Sequence, residues 1–224
     1  MLARRQPLLA LQNYLSQCKL CKYFCQQNQF MFNFFWLELD LPPLPNNLIQ
    51  QAINCSDDQR IIKSTDRVIH DNGIEYKNGT NVRYRVSPDI HNWVKENIID
   101  DYAEISTQVL SNGPCAGPHL DKLRIYHLFY LIEHGGADHE TVWFREPGKP
   151  IFRTDFLIFD DYSKLTELHR TKLPVGKWVL FNSKVIHDVQ RLNPTLARKT
   201  LTIDMMFMPQ KFATIADGVN HYSQ

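Results

Sequence analysis

The feature that most constrains the fold is the second half of the chain, where short extended segments alternate with turn-forming residues. From Ala103 onward, Gly and Pro residues interrupt the chain at short intervals. Many short strands separated by regular turn signals are typical of a β-sandwich or a jelly roll. The predicted strands lie near 104–110, 117–120, 124–132, 140–145, 166–173, 177–181, 184–190 and 198–207.

The residues before Ala103 predict helices as well as strands. Ser87 followed by Pro88 is typical of a helix start, since Ser caps the free N–H groups and Pro suits the first turn. A second helix is predicted from about Pro45. Asn78-Gly79 lies between two extended runs and predicts a two-residue hairpin turn. We therefore expect a mainly β fold in which helices buttress a jelly-roll, or double-stranded β-helix, core.

Residues 1–30 differ from the rest because they are polar-rich and contain no glycine. Cys18, Cys21 and Cys25 suggest a zinc or iron–sulfur site, but a closed zinc site needs four ligands and no histidine is near. We favour a plain helical face, on which Cys18 and Cys25 lie with Leu11 and Leu15. We expect 1–30 to be an N-terminal extension, weakly helical or poorly ordered. One domain over 31–224 follows, with its jelly-roll core at about 103–208.

Composition constrains the partners and the cellular compartment that we expect for the protein. A formal net charge of +1 over 224 residues does not indicate nucleic acid as a partner. No apolar run approaches the length of a membrane span, so we expect no membrane association. Five cysteines, an odd number, do not suggest a disulfide framework. The expected location is therefore the reducing cytoplasm.

A histidine and two further groups form a candidate metal site. His119 and Asp121 are separated by one residue, so their side chains point the same way on an extended backbone. His187 follows 66 positions after Asp121 (187 − 121), which leaves room for several antiparallel strands before one returns beside the first. Two imidazoles and one carboxylate on one face of an octahedral ion leave three positions open, which suits ferrous iron in oxygen chemistry.

Arg198 begins the last predicted strand. Strict alternation places Arg198, Thr200 and Thr202 on one side of this strand, opposite Leu201 and Ile203. A buried guanidinium needs an anionic partner. A carboxylate ligand bound by Arg198 in a two-pronged pair, with the Thr200 hydroxyl assisting, would supply that partner.

His119-x-Asp121 and the segment "LPVGKWVLFNSKVIHDVQRLNPTLARKTLTI" together resemble the Fe(II)/2-oxoglutarate-dependent oxygenases, most of all their prolyl-hydroxylase-like and phage-encoded branches. The resemblance covers roughly residues 100–208. It implies a dioxygenase that couples oxidative decarboxylation of 2-oxoglutarate by O₂ to hydroxylation of a substrate. The residues that it implies are His119, Asp121 and His187 for iron, Arg198 and Thr200 for 2-oxoglutarate, and either Tyr126 or Tyr130 as an added cosubstrate contact.

Two other interpretations stay open. One is a cupin-like metal enzyme that does not use 2-oxoglutarate, and the other is a jelly-roll binding module without catalysis. Arg198 separates the cupin-like enzyme from the oxygenase, since that enzyme needs no buried guanidinium near the metal. The binding module instead predicts no stoichiometric iron and no loss of function when His187 is changed. The small-molecule cosubstrate is the expected partner, and the substrate is a protein side chain, a nucleobase or a small metabolite.

Overall fold

The structure is a computed structural model that describes residues 35–204 apart from residues 55, 65, 101, 122, 123, 125 and 154. The N-terminal extension expected at 1–30, with its three cysteines, lies outside these residues, as does the end of the last predicted strand. The division into an extension and one domain therefore stays a prediction. Among the described residues, no helix is long and apolar enough to cross a membrane.

Two α-helices lie in the first half of the described chain. Helix α1 spans Asn46–Ile53 and helix α2 spans Pro88–Asn97. The Ser87 side-chain oxygen accepts a hydrogen bond from the backbone N–H of Ile90, which satisfies a free donor of the first turn. Both predicted helices are thus confirmed, and α2 begins where its cap and its first-turn proline predict.

The rest of the fold is antiparallel β structure in one sheet of seven strands, one of three and a two-stranded hairpin. The large sheet has the order β1-β10-β7-β12-β6-β5-β2, the small sheet β11-β8-β9, and the hairpin joins β3 to β4. The strands are β1 Trp36–Leu39, β2 Arg60–Lys63, β3 Val68–Asp71, β4 Ile74–Lys77, β5 Thr80–Arg85, β6 Glu104–Ser111, β7 Tyr126–His134, β8 Glu140–Arg145, β9 Thr166–Thr171, β10 Trp178–Asn182, β11 Ile186–Gln190 and β12 Arg198–Asp204.

The path of the chain between the two sheets is that of a jelly roll. The chain leaves β6 in the large sheet, pairs with the small sheet at His119 and returns to β7. It then enters the small sheet for β8 and β9, the large sheet for β10, the small sheet for β11 and the large sheet for β12. The two sheets pack face to face, since the ring of Trp143 on β8 lies 5.3 Å from that of Phe181 on β10. The predicted fold class, a mainly β jelly roll, is confirmed.

The helices pack on the outer face of the large sheet. Ile90 and Val94 of α2 are fully buried in one apolar cluster with Leu128 of β7 and Leu201 of β12. Full burial of an aliphatic side chain of this size stabilises the fold by roughly 1.5–3 kcal/mol. The helices therefore buttress the sheet from outside and leave its inner face to the space between the sheets.

The prediction of a hairpin turn at Asn78-Gly79 is wrong, because β4 and β5 do not pair with each other. Strand β4 pairs instead with β3, through a turn at Asn72-Gly73 whose φ angles are 49° and 83°. Two successive residues at positive φ are the signature of the type I′ turn, which the Asn-Gly pair favours. The Gly79 N–H donates to the backbone oxygen of Cys115 at 2.6 Å, so the second Asn-Gly pair joins two loops. The turn signal is the same at both sites, and only the pairing of β5 with β6 decides between them.

Candidate metal centre and cavity

His119 lies in a short segment whose backbone is paired on both sides. Its N–H donates to the oxygen of His187 at 3.0 Å, and the His187 N–H donates back at 3.0 Å. On the other side, the Leu120 N–H donates to the oxygen of Leu157 at 2.9 Å. The strand predicted at 117–120 is thus reduced to a bridge at His119, but it joins the small sheet beside β11. Pairing across this bridge is what brings the two histidines, far apart in sequence, next to each other.

The three predicted ligands lie in one cluster. The Nε2 atom of His119 is 3.9 Å from Oδ1 of Asp121, and Nε2 of His187 is 3.9 Å from Oδ2 of the same carboxylate. All three ligand atoms lie within 4.8 Å of one another. Leu120, between the first two, is fully buried on the opposite side in a cluster with Ile186. The backbone therefore separates the ligands from the apolar residues, as extended geometry requires.

Each imidazole ring is oriented by a hydrogen bond between its Nδ1 atom and a backbone carbonyl oxygen. Nδ1 of His119 lies 2.8 Å from the oxygen of Gly117, and Nδ1 of His187 lies 2.9 Å from the oxygen of Val185. A carbonyl oxygen only accepts, so each Nδ1 carries a proton, and Nε2 of the neutral ring is left to offer a lone pair. Burial lowers the pKa of His187 to about 3, which keeps this ring neutral. Ligand histidines are typically held by such backbone contacts.

The cluster fits a metal ion. Metal–ligand bonds of about 2.1 Å place neighbouring ligand atoms about 3 Å apart, so the observed 3.9 Å separations need closure by less than about 1 Å. The donors are two imidazoles and one carboxylate, and all come from one side of the site. Such a set leaves coordination positions open and suits a catalytic rather than a structural ion.

Arg124 binds the carboxylate of the cluster, and the sequence patterns did not predict this contact. Its Nε lies 2.8 Å from Oδ2 of Asp121, and its Nη2 lies 3.2 Å from Oδ1. Burial alone would raise the pKa of Asp121, but the adjacent Arg124 guanidinium holds it well below its usual range. The carboxylate is therefore ionised and ready to bind a cation. An arginine three positions after the acid was the only available signal in the sequence.

A narrow cavity of about 60 Å³ extends from the cluster between the two sheets. One wall consists of Arg198, Thr200 and Thr202 of β12, with Gln108 and Leu110 of β6. Other lining residues include Phe129 and Phe181 of the large sheet, Thr141 and Val189 of the small sheet, and Arg124, His119 and His187 at the candidate metal centre. The alternation predicted for β12 is confirmed, because Leu201 and Ile203 lie in the outer apolar cluster.

Arg198 is a buried cation, 8% exposed, in this cavity. Its guanidinium carbon lies 5.6 Å from the centre of the Phe129 ring, and its Nε has no hydrogen-bond partner. No acidic side chain in the described part of the chain forms an ion pair with it. Burial lowers the pKa of Arg198 to about 10. A buried charge without a counterion is costly, so this position is built to receive an anion.

The positions of Tyr126 and Tyr130 contradict the expectation that one of them contacts the cosubstrate. Both rings lie on the outer face of β7, in the cluster that packs against the helices. The inner face of β7 presents His127 and Phe129 to the cavity instead. Thr141 of β8 is the hydroxyl that sequence reasoning missed, since its Oγ1 is buried in the same cavity without a hydrogen-bond partner in the described chain.

His127 also lies beside the cluster. Its Nδ1 is 2.7 Å from Oγ of Ser183 and 4.0 Å from Oδ2 of Asp121. Burial and the nearby Arg124 hold the pKa of His127 well below its usual range, so the ring is neutral. It adds a polar but uncharged group to the wall next to the candidate ligands.

No protein-family model and no curated protein matches the chain. Solved structures are similar to it, among them the Escherichia coli ribosomal oxygenase YcfD, with 13% identity and a TM-score of 0.41 over 89% of this chain and 57% of that one. A 2OG-Fe(II) oxygenase family oxidoreductase from Burkholderia pseudomallei matches with 10% identity and a TM-score of 0.42 over 84% and 90%. A Pseudomonas putida prolyl-4-hydroxylase matches with 14% identity and a TM-score of 0.38 over 78% and 94%.

Oxygenases of the class that the sequence resembles are thus among the solved structures similar to this chain. The chain spans little more than half the length of YcfD, with 57% of that chain covered. Identities of 10–14% leave function to be argued from the residues of the cavity.

Proposed function

We propose that the chain is an Fe(II)- and 2-oxoglutarate-dependent dioxygenase that hydroxylates a C–H bond of its substrate. The observation that carries the proposal is Arg198, a buried guanidinium without a counterion among the described residues, which lines the same cavity as the two candidate ligands His119 and His187. A cluster of metal ligands alone would suit many enzymes. A ligand cluster beside a cavity that also holds a cation without a counterion in the described chain suits a small acid that spans the two.

The residues divide into two binding ends. His119, Asp121 and His187 hold the metal, which when bound supplies Lewis-acid and oxygen chemistry. Arg198 and Thr200 bind the far carboxylate of 2-oxoglutarate. The Thr141 hydroxyl, which has no partner among the described residues, donates to the same group. In the balanced reaction, 2-oxoglutarate, O₂ and R–H give succinate, CO₂ and R–OH, with one oxygen atom of O₂ in succinate and the other in the hydroxyl.

The remaining walls exclude water from the reacting groups. Phe129, Phe181 and Val189 line the cavity with apolar surface between the two binding ends. Water that is kept out cannot intercept the oxidising equivalents, and the electrostatic contacts of Arg198 are stronger in its absence. The proposal covers a protein side chain, a nucleobase or a small metabolite as the group that is hydroxylated.

The test starts with Fe(II) added anaerobically, with and without 2-oxoglutarate. We expect a weak visible charge-transfer band only when both are present, and succinate once O₂ is admitted. His187→Ala should abolish the band, whereas His70→Ala, which changes an exposed histidine of the β3–β4 hairpin, should leave it intact. Stoichiometric metal without band or succinate would favour the cupin-like enzyme. No stoichiometric metal would favour the binding module.

A further inference from the structure

Four charged side chains form a continuous chain from the large sheet to the candidate metal ligand. Arg83 Nη1 of β5 lies 3.1 Å from Oδ2 of Asp204 on β12, and Oδ1 of Asp204 lies 2.6 Å from Nη1 of Arg124. Arg124 then binds both oxygens of Asp121. These side chains are only 12–22% exposed. Ion pairs in such surroundings are screened weakly by solvent and hold their geometry.

The backbone of Asp121 is held separately from its carboxylate. Its N–H donates to the oxygen of Ser183 at 3.2 Å, and its own carbonyl oxygen accepts from Nζ of Lys184 at 2.6 Å. These contacts place the residue but leave the rotation of the carboxylate free. Arg124 is the group that restricts this rotation, because its two N–H groups fit two oxygens in one plane.

The bidentate contact with Arg124 also limits how Asp121 can bind a cation. Each carboxylate oxygen has two lone pairs, and a guanidinium that binds both oxygens approaches the edge that a chelated metal would use. With that edge taken by Arg124, the carboxylate offers a metal one oxygen at a time. Two histidines and one carboxylate oxygen use three of six positions, which leaves three for ligands.

We propose that Arg124, anchored by Asp204 and Arg83, is a positioning residue that restricts Asp121 to coordination through one oxygen. This inference rests on the proposed function, since it concerns the metal that the dioxygenase would bind. Two of the open positions then accept a chelating cosubstrate and one accepts O₂. Without Arg124, the carboxylate can turn and chelate, and one open position is lost.

The test compares Arg124→Gln and Arg124→Lys with Arg170→Gln. Arg170 is a matched control, because it also bridges two carboxylates, of Glu140 and Glu167, but on the small sheet away from the cluster. Mn(II) affinity is measured by titration calorimetry, and 2-oxoglutarate affinity by the charge-transfer band of the anaerobic Fe(II) protein. Circular dichroism establishes that each variant is folded.

We expect Arg124→Gln to bind Mn(II) at least as tightly as wild type, because a chelating carboxylate gains a metal bond and a neighbouring positive charge is removed. The affinity of the Fe(II)-loaded protein for 2-oxoglutarate should fall at least about tenfold, from the loss of an open position. Arg124→Lys keeps the positive charge but cannot bind both carboxylate oxygens in one plane, so its loss of 2-oxoglutarate affinity should resemble that of Arg124→Gln. Arg170→Gln should leave both affinities unchanged.

Asp204→Asn keeps the test decisive if Arg124→Gln does not fold. It removes the anchor of Arg124 but leaves the contact with Asp121, so an intermediate loss of 2-oxoglutarate affinity is expected. Unchanged or tighter 2-oxoglutarate binding in a folded Arg124 or Asp204 variant would overturn the inference. A wild-type protein without the band would instead overturn the proposed function, so the two failures are distinguishable.

Discussion

Replacing Arg198 by Met should raise the free energy of unfolding of the ligand-free protein and reduce the stabilisation that the bound cosubstrate gives. Burial lowers the pKa of Arg198 to about 10, below its value in the unfolded chain. At pH 7, below both values, the charged form is therefore disfavoured in the folded state by roughly 3 kcal/mol. Arg198→Met removes this cost and also a cation–π contact with Phe129 of about 1 kcal/mol. The expected net gain is about 1–2 kcal/mol.

The assay is thermal unfolding with and without Mn(II) and 2-oxoglutarate. For a chain of this size, 1 kcal/mol corresponds to about 2–4 °C in Tm, so Arg198→Met should melt about 2–8 °C above wild type without ligand. At 2-oxoglutarate concentrations near 100 times its Kd, wild type gains about 2.7 kcal/mol. The variant lacks the charge-assisted contacts, so most of this gain should disappear and the order of the two Tm values should reverse.

The control is Arg170→Met, which removes an arginine that is paired with two carboxylates. This variant should be less stable than wild type, since it leaves those carboxylates without their cation. A ligand-free Arg198→Met protein less stable than wild type by more than about 1 kcal/mol would refute the reasoning, because Arg198 would then have an anionic partner within the chain.

Two other predictions concern groups outside the candidate ligands. Burial, and then Arg198, lowers the pKa of His139 to about 4. The free energy of unfolding is therefore highest above about pH 6.5 and falls by at most about 3 kcal/mol as pH drops toward 4, because the unfolded chain takes up the His139 proton first. In urea unfolding, His139→Phe should flatten this pH dependence. Tyr162→Phe removes the hydroxyl that donates to buried Asp188 and should lower the free energy of unfolding by about 2–3 kcal/mol. A loss below about 0.5 kcal/mol would contradict this.

Local signals in the sequence predict much of the fold. Strand β8 occupies the predicted residues, 140–145, and α2 begins at Pro88 behind its cap. These elements are set by residues close in sequence, so pattern and capping suffice. The Asn-Gly turns differ, because Asn72-Gly73 and Asn78-Gly79 carry the same signal and only long-range strand pairing separates them.

The candidate site divides in the same way. Arg198 and Thr200 were predictable because β12 has polar residues on one face and apolar residues on the other. The assignment of Tyr126 and Tyr130 failed because β7 is buried on both faces, so alternation cannot distinguish the cavity side from the helix side. The contact of Arg124 with Asp204 joins residues 80 positions apart, and no local pattern specifies it.

The electrostatics of the cavity are unequal at its two ends, and this inequality is the physical argument for a ligand. Asp121 has a cation on both of its oxygens, whereas Arg198 has no anion in the described chain. If stability alone had shaped the cavity, an apolar residue would replace Arg198 at a gain in free energy. A buried charge that only a bound anion can satisfy lowers the stability of the ligand-free protein. Local departures of this kind are expected at functional sites, where the ligand offsets the cost.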